Sequence, residues 1–88
     1  MASYALIKFK INKDFFDWEQ AFYSSQPMAR QAGIVELFHG RTDDDPQTCF
    51  VLAQVSSKEA MDKFFAEAGD SIASSGHILE STKVTMLN

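Results

Sequence analysis

Apolar residues recur at every second position in the first segment of the chain, Ser3–Ile11, where Ala5, Ile7, Phe9 and Ile11 alternate with other residues. Side chains of a strand point alternately to its two faces, so the pattern predicts a first strand with one wholly apolar face. The opposite set begins with apolar residues and ends with two lysines. We therefore expect helices on the first face and only partial cover on the second.

A hairpin is predicted in the middle of the chain. Its strands are Ile34–Thr42 and Thr48–Val55, which are rich in β-branched and aromatic residues, and its turn is Asp43–Gln47. The turn is favoured because Asp side chains bond nearby backbone N–H groups and Pro fixes φ. Strict alternation sorts the first strand into two sets, Val35, Leu37, His39 and Arg41 against Ile34, Glu36, Phe38 and Gly40. Neither set is purely polar, so both faces are expected to be at least half covered.

Helical spacing predicts a first helix after Asp14, with Phe15, Trp18 and Phe22 on its buried side. Pro27 is costly inside a helix, so we expect a break around Ser24–Gln26 and a short continuation that ends at Gly33. Such a break would open a gap beside the sheet.

A second helix is predicted to start at Ser56, which forms a capping box with Glu59, and to end at Ser74–Gly76. The last strand is predicted over Glu80–Leu87. The resulting order, β-α-β-β-α-β, is the ferredoxin-like α+β arrangement, with a four-stranded antiparallel sheet in a single domain, residues 1–88. Two helices cover one face of such a sheet, so its other, partly apolar face predicts a homodimer that pairs through it.

Composition narrows the function classes. The chain has 8 basic and 12 acidic residues and a net charge of −4, without a clustered basic face, which argues against nucleic acid and anionic membrane surfaces as partners. The first ten residues lack the apolar run of a signal peptide, and a cytoplasmic location is expected. Cys49 is the one cysteine and is interpreted as a small core residue.

Several short segments resemble the dimeric α+β barrel superfamily, in particular the domains of the antibiotic biosynthesis monooxygenase type. They are Gly33-Ile34, Arg41, Asp44-Asp45-Pro46, Phe50-Val51-Leu52 and Ser57-Lys58-Glu59-Ala60-Met61. The resemblance implies a dimer that packs sheet on sheet, with a small hydrophobic pocket in each subunit. Members of the superfamily include cofactor-independent oxygenases, haem-degrading enzymes and isomerases.

Two residues of the hairpin are candidates for catalysis. His39 titrates near neutral pH and could act as a base or orient a ligand, or it could be a half-buried strand histidine with a structural hydrogen bond. Arg41 could hold an anionic group, or it could pair with the neighbouring Asp residues at the sheet edge. Both readings stay open for each residue.

Further residues are candidates for ligand binding, each with core packing, dimer packing or a loop position as the alternative. They are Tyr4, Trp18, Phe22, Tyr23, Phe38 and His77. The sequence has no P-loop, dinucleotide fingerprint, nucleophile elbow or metal-ligand spacing, so no cofactor and no metal are predicted.

The sequence leaves two candidate functions. The first is a small-molecule-binding dimer that acts on a small apolar or aromatic substrate as a cofactor-independent monooxygenase or isomerase. The second is a non-catalytic binding or regulatory dimer. A filled core without a cavity would favour the second, and the sequence alone leaves open whether the protein is an enzyme.

Overall fold

The computed structural model describes residues 3–88, which form one four-stranded sheet with four helices on one of its faces. The elements, in chain order, are β1 (Ser3–Ile11), α1 (Phe15–Ser24), α2 (Gln26–Gln31), β2 (Ile34–Arg41), β3 (Thr48–Val55), α3 (Lys58–Glu67), α4 (Gly69–Ser74) and β4 (His77–Leu87). The predicted ferredoxin-like α+β fold is confirmed, with the predicted break in the first helical segment and a further break in the second.

The strands lie in the order β2-β3-β1-β4, and every neighbouring pair is antiparallel. The predicted apolar set of β1 faces the helices: Ala5, Ile7, Phe9 and Ile11 are all buried. Cys49 of β3 is also fully buried in this layer, where burial raises the pKa of its thiol to about 11. It is therefore a core residue, as predicted.

The break in the first helical segment lies where the sequence predicts it. Asp14 caps α1 by accepting a hydrogen bond from the Phe16 N–H, and the helix ends at Ser24. Ser25 and Gln26 then bond back to the carbonyl oxygen of Phe22 through their side chains. Pro27 occupies the first turn of α2, where its missing N–H costs nothing.

The second helical segment differs from the prediction in two respects. Its cap is Ser57, whose hydroxyl accepts from the Ala60 N–H at 3.0 Å, so the capping box assigned to Ser56 is wrong. The Ser56 N–H instead bonds the Gly33 carbonyl oxygen, which ties the ends of β2 and β3 together. The helix also divides at Ala68, next to Gly69, a residue that weakens helix interiors.

The last strand begins at His77, three residues before its predicted start. The pairing with β1 jumps from Lys8↔Lys83 to Lys10↔Ile78, so an irregular stretch between them is pushed out of the ladder. The Ser81 hydroxyl compensates by accepting from the Lys10 N–H at 2.8 Å and donating to the Ile78 carbonyl at 2.6 Å. The predicted start was late because a bulge breaks the alternation.

A second bulge changes which side chains of β2 face the helices. The register jumps from Glu36↔Ala53 to Phe38↔Leu52, so Leu37 is the extra residue. Ala53 and Val51 of β3 face the helices, and their partners Glu36 and His39 therefore do so together. The strict alternation that placed Glu36 and His39 on opposite faces is wrong, because a bulge shifts the faces by one residue.

The face of the sheet away from the helices carries an apolar patch, called the open face below. Its large apolar members are Leu6, Val35, Phe38, Phe50, Leu52 and Leu87, while Lys8 and Lys83 lie at one end. Four of the apolar residues, Leu6, Val35, Phe38 and Leu87, are exposed.

Within residues 3–88, no helix is long and apolar enough to cross a membrane.

Gly33 is the residue that lets α2 turn into β2. It has φ +85°, and a Cβ atom there would lie 2.5 Å from the Ser56 hydroxyl oxygen. We expect Gly33→Ala to lower the free energy of unfolding by about 1–3 kcal/mol in urea titrations, because alanine resists this conformation.

Gly69→Ala is the matched control for this prediction. Gly69 does not have a positive φ, and its added Cβ would meet Leu79 at an ordinary 3.9 Å. The free energy of unfolding of the Gly69→Ala variant should stay the same or rise slightly. Equal losses at the two glycines would contradict the conformational explanation.

Candidate functional site

A cavity of about 570 Å³ lies between the sheet and the helices. Its floor is formed by side chains of β1 and β3, namely Ile7, Phe9, Val51 and Ala53, and Ile34 and Glu36 of β2 close one end. The walls are aromatic: Trp18 and Phe22 come from α1, and Phe64 and Phe65 come from α3. The predicted gap beside the sheet is therefore present.

The ends of α1 and α4 help to explain why the helices do not fill this space. Serines at these two ends line the cavity: Ser24 and Ser25 at the break after α1, and Ser74 and Ser75 at the end of α4. Their hydroxyls donate to carbonyl oxygens of the preceding helical turn. The hydroxyls thus satisfy the ends of the helices, and the short side chains leave room above the sheet.

A row of three ionisable side chains lies at the β2 end of the cavity. His39 contacts Glu36 through Nδ1 at 2.5 Å and Glu19 of α1 through Nε2 at 2.6 Å. Ionised carboxylates only accept hydrogen bonds, so both ring nitrogens of His39 must carry protons to satisfy both partners. With both carboxylates ionised, the row is Glu19⁻, His39⁺ and Glu36⁻, and Glu36 is its member that lines the cavity.

The protonated form of His39 is favoured by its partners. Burial lowers the pKa of His39, but the hydrogen bonds and charges of Glu19 and Glu36 outweigh this and raise it above its ordinary value of 6.5. The side chain is 11% exposed. A charged histidine this well covered is stable because each N–H has a carboxylate partner.

Aromatic rings surround His39. The centroid of Phe22 lies 5.0 Å from that of His39, and those of Tyr23 and Trp18 lie at 5.5 and 6.1 Å. The Tyr23 hydroxyl reaches Glu19 Oε2 at 3.5 Å. Of the three predicted aromatic ligand contacts in α1, Trp18 and Phe22 line the cavity, and Tyr23 lies over the outer end of the row.

His77 lines the cavity from β4, at the edge of the sheet opposite Glu36. Its ring stacks on Phe9 at 3.9 Å with an angle of 4° between planes, and its Nε2 contacts the Thr82 hydroxyl at 2.6 Å. Burial lowers the pKa of His77 to about 4, so the ring is neutral at pH 7.

The remaining predicted site residues lie apart from the cavity walls. The Arg41 guanidinium lies 4.8 Å above the Phe15 ring and 5.2 Å from that of Phe16. Tyr4 and Phe38 pair with Gln54 and Leu52, and they share the open face with them. The structure therefore brings Trp18, Phe22 and His77 to the cavity, joins His39 to it through Glu36, and separates the other predicted residues from it.

Sequence reasoning missed the two glutamates of the row. Strict alternation places Glu36 on the opposite face from His39, because the bulge at Leu37 has no glycine or proline that would indicate it. Glu19 lies between two aromatic residues of α1, and only the packing of α1 on β2 brings it to His39, 20 positions away. No local sequence pattern indicates the contact between Glu19 and His39.

Solved structures share this fold over nearly the whole chain. A candidate antibiotic biosynthesis monooxygenase from Bordetella bronchiseptica matches with a TM-score of 0.76 and 14% identity, covering 99% of this chain and 95% of that one. SnoaB from Streptomyces nogalater, a cofactor-independent oxygenase, matches with a TM-score of 0.65 and 10% identity, covering 99% and 91%. The chain therefore has the fold of antibiotic biosynthesis monooxygenase-like proteins.

The sequence family of the chain is a narrower group than the set of proteins that share its fold. The family described as "Domain of unknown function (DUF3764)" matches residues 2–88, and the chain belongs to it. No curated protein matches the chain. At the low identities of the solved neighbours the likeness establishes the fold alone.

Proposed function

We propose that this protein binds a small apolar or aromatic molecule in the cavity between sheet and helices. The observation that carries the proposal is the cavity itself: its volume of about 570 Å³ lies within the range of small-molecule sites, and its walls are mostly apolar and aromatic. One carboxylate, Glu36, and one neutral imidazole, His77, stand at its two ends. Such a few polar groups in an apolar pocket orient a ligand.

The proposed assembly is a homodimer that pairs through the open face. Four exposed apolar residues on one side of a small sheet form a surface that a monomer would leave in water, and a two-fold pair would bury it. Tyr4 and Phe38 would then contact the partner subunit. A cytoplasmic location stays a prediction.

The proposed reaction is a cofactor-independent oxygenation or an isomerisation of the bound molecule. It is supported by the fold shared with SnoaB, which is a cofactor-independent oxygenase. Within this proposal His39 orients Glu36, because both of its ring nitrogens already contact carboxylates. The anion-binding role predicted for Arg41 stays a prediction.

The same two contacts of His39 also favour a second candidate function, a non-catalytic binding or regulatory dimer. A base needs a nitrogen lone pair that can take a proton, and a doubly hydrogen-bonded imidazolium offers none. Under this candidate the row would hold α1 against β2 and shape the cavity, and ligand binding would proceed without turnover.

Ligand binding to the cavity can be tested with N-phenylnaphthylamine, a neutral probe that fluoresces in apolar surroundings. The unaltered protein is expected to bind it. Ala21→Phe places a ring in the wall of the cavity. Because this ring would occupy part of the volume that the probe needs, the affinity for the probe should fall about tenfold or more.

Ala66→Phe is the matched control, because Ala66 is exposed on α3 and should leave binding unchanged. Thermal unfolding of both variants checks that they fold. Should the unaltered protein fail to bind the probe, or both variants bind it equally, the cavity is not the binding site.

A further inference from the structure

We infer that the cavity selects a cationic ligand, an aromatic or apolar molecule that ends in a protonated amine, and that Glu36 is the group that binds the amine. This inference rests on the proposed function, since it names the class of molecule that the cavity would take. It follows from three features of the site: the free oxygen of Glu36, the distribution of charge around the cavity, and the aromatic residues of its walls.

Glu36 has one carboxylate oxygen to offer. Its Oε1 contacts His39, and within residues 3–88 its Oε2 makes no hydrogen bond. The side chain is 21% exposed and lines the cavity, so the free oxygen is partly removed from bulk water. A carboxylate in such a position is stabilised by a ligand N–H donor, and most strongly by a charged one.

The net charge around the cavity favours a cation. Among the described residues that line it, Glu36 is the one with an ionised side chain, and none is lysine or arginine. Tyr23 from α1 contacts Glu19 of the row, and with His39 protonated the row carries one net negative charge. His77, at the far end, is neutral at pH 7. An anionic ligand would therefore meet net repulsion, because the one charged base next to the cavity, His39, is already paired with two carboxylates.

The aromatic walls act in the same direction. Trp18 and Phe22 stack on each other 4.9 Å apart next to the row, and Phe22 also packs against His39. The faces of aromatic rings carry negative charge density and attract cations. Flat apolar ligands also stack on such rings, so the walls can hold the body of the ligand while Glu36 holds its amine.

The cavity has room for a ligand of two fused rings. It extends from Glu36 on β2 to His77 on β4, the two edge strands of the sheet. Three strand spacings separate these edges, roughly 14 Å. A naphthalene ring with a short amine arm fits this length with its arm at Glu36.

Four naphthalene derivatives, substituted at the same ring position, separate charge from shape: naphthylmethylamine, naphthalenemethanol, ethylnaphthalene and naphthoate. We expect the amine to bind the unaltered protein at neutral pH about tenfold or more tighter than ethylnaphthalene, since a hydrogen bond to a charged group is worth that much. Naphthoate should bind most weakly. Calorimetry or competition with N-phenylnaphthylamine gives the four affinities.

The matched variants are Glu36→Gln and Glu67→Gln. The first removes the charge in the cavity and should lower the affinity for the amine about tenfold or more while leaving that for ethylnaphthalene unchanged. The second removes an exposed charge on α3, whose partner is Lys63, and should leave the ranking unchanged. If Glu36→Gln does not fold, the ranking on the unaltered protein decides.

The outcomes distinguish this inference from the proposed function. Equal affinities for the amine and ethylnaphthalene, or for the amine and the alcohol, would overturn the cationic ligand and leave the cavity as a binding site. Tighter binding of naphthoate would overturn it as well. Failure of all four compounds and of N-phenylnaphthylamine to bind would overturn both.

Discussion

Replacing Phe38 by Glu is expected to convert the proposed dimer into a monomer at micromolar concentration. Phe38 is 60% exposed on the open face, where its ring stacks on Phe50 at 5.7 Å. In a two-fold pair each substitution occurs twice, and a buried aromatic contact replaced by a charge costs about 2 kcal/mol or more, so the dissociation constant should rise about a thousandfold. Light scattering or sedimentation across a dilution series measures the change.

Phe16→Glu is the control for this experiment. Phe16 is 61% exposed, nearly the same as Phe38, but it belongs to α1 on the helix side of the molecule and lies beside Arg41. The new carboxylate would face a guanidinium, and the dimer should persist. A monomeric unaltered protein, or equal dissociation of both variants, would refute pairing through the open face.

The fold could be predicted because the apolar patterns are long and regular. The buried set of β1, the turn between β2 and β3 and the break before Pro27 each follow from local chemistry: alternation, Asp and Pro turn preferences, and the missing N–H of proline. These features decide the order of elements and the side of the sheet that the helices cover. They also decide that a gap lies beside the first break.

The site could be predicted only in part, because it depends on register and packing. One extra residue at Leu37 moves Glu36 to the face of His39, and the alternation of β2 gives no sign of it. The contact of His39 with Glu19 needs α1 to lie across β2. Histidine and aromatic residues could be singled out by type, whereas the carboxylates that set the charge of His39 could not.

The second large effect is a loss of stability in mild acid, which we expect to arise from His77. Its pKa is lowered from 6.5 to about 4 by burial, so the folded protein resists a proton that the unfolded chain accepts. The contribution of His77 to stability is therefore complete above pH 6.5 and is lost as the pH falls towards 4. The expected loss is about 3 kcal/mol over this interval.

His77→Phe is expected to remove this acid sensitivity. Phenylalanine preserves the stacked ring on Phe9 and does not titrate, although it gives up the contact with the Thr82 hydroxyl. The test is therefore the slope of unfolding free energy against pH between 6.5 and 4.5, measured by urea titration, and not the stability at one pH. Asp45, whose pKa is lowered by its bonds to Thr48 and Gln47, acts below this interval.

His39 should produce the opposite dependence, which makes it the internal control. Its pKa is raised, so its contribution to stability is complete below 6.5 and is lost as the pH rises through the folded value. His39→Gln should flatten the profile on the alkaline side and leave the acid slope in place, while His77→Phe does the reverse. If the acid slope survives in His77→Phe, or disappears in His39→Gln, the assignment of the two histidines to a neutral and a charged state is wrong.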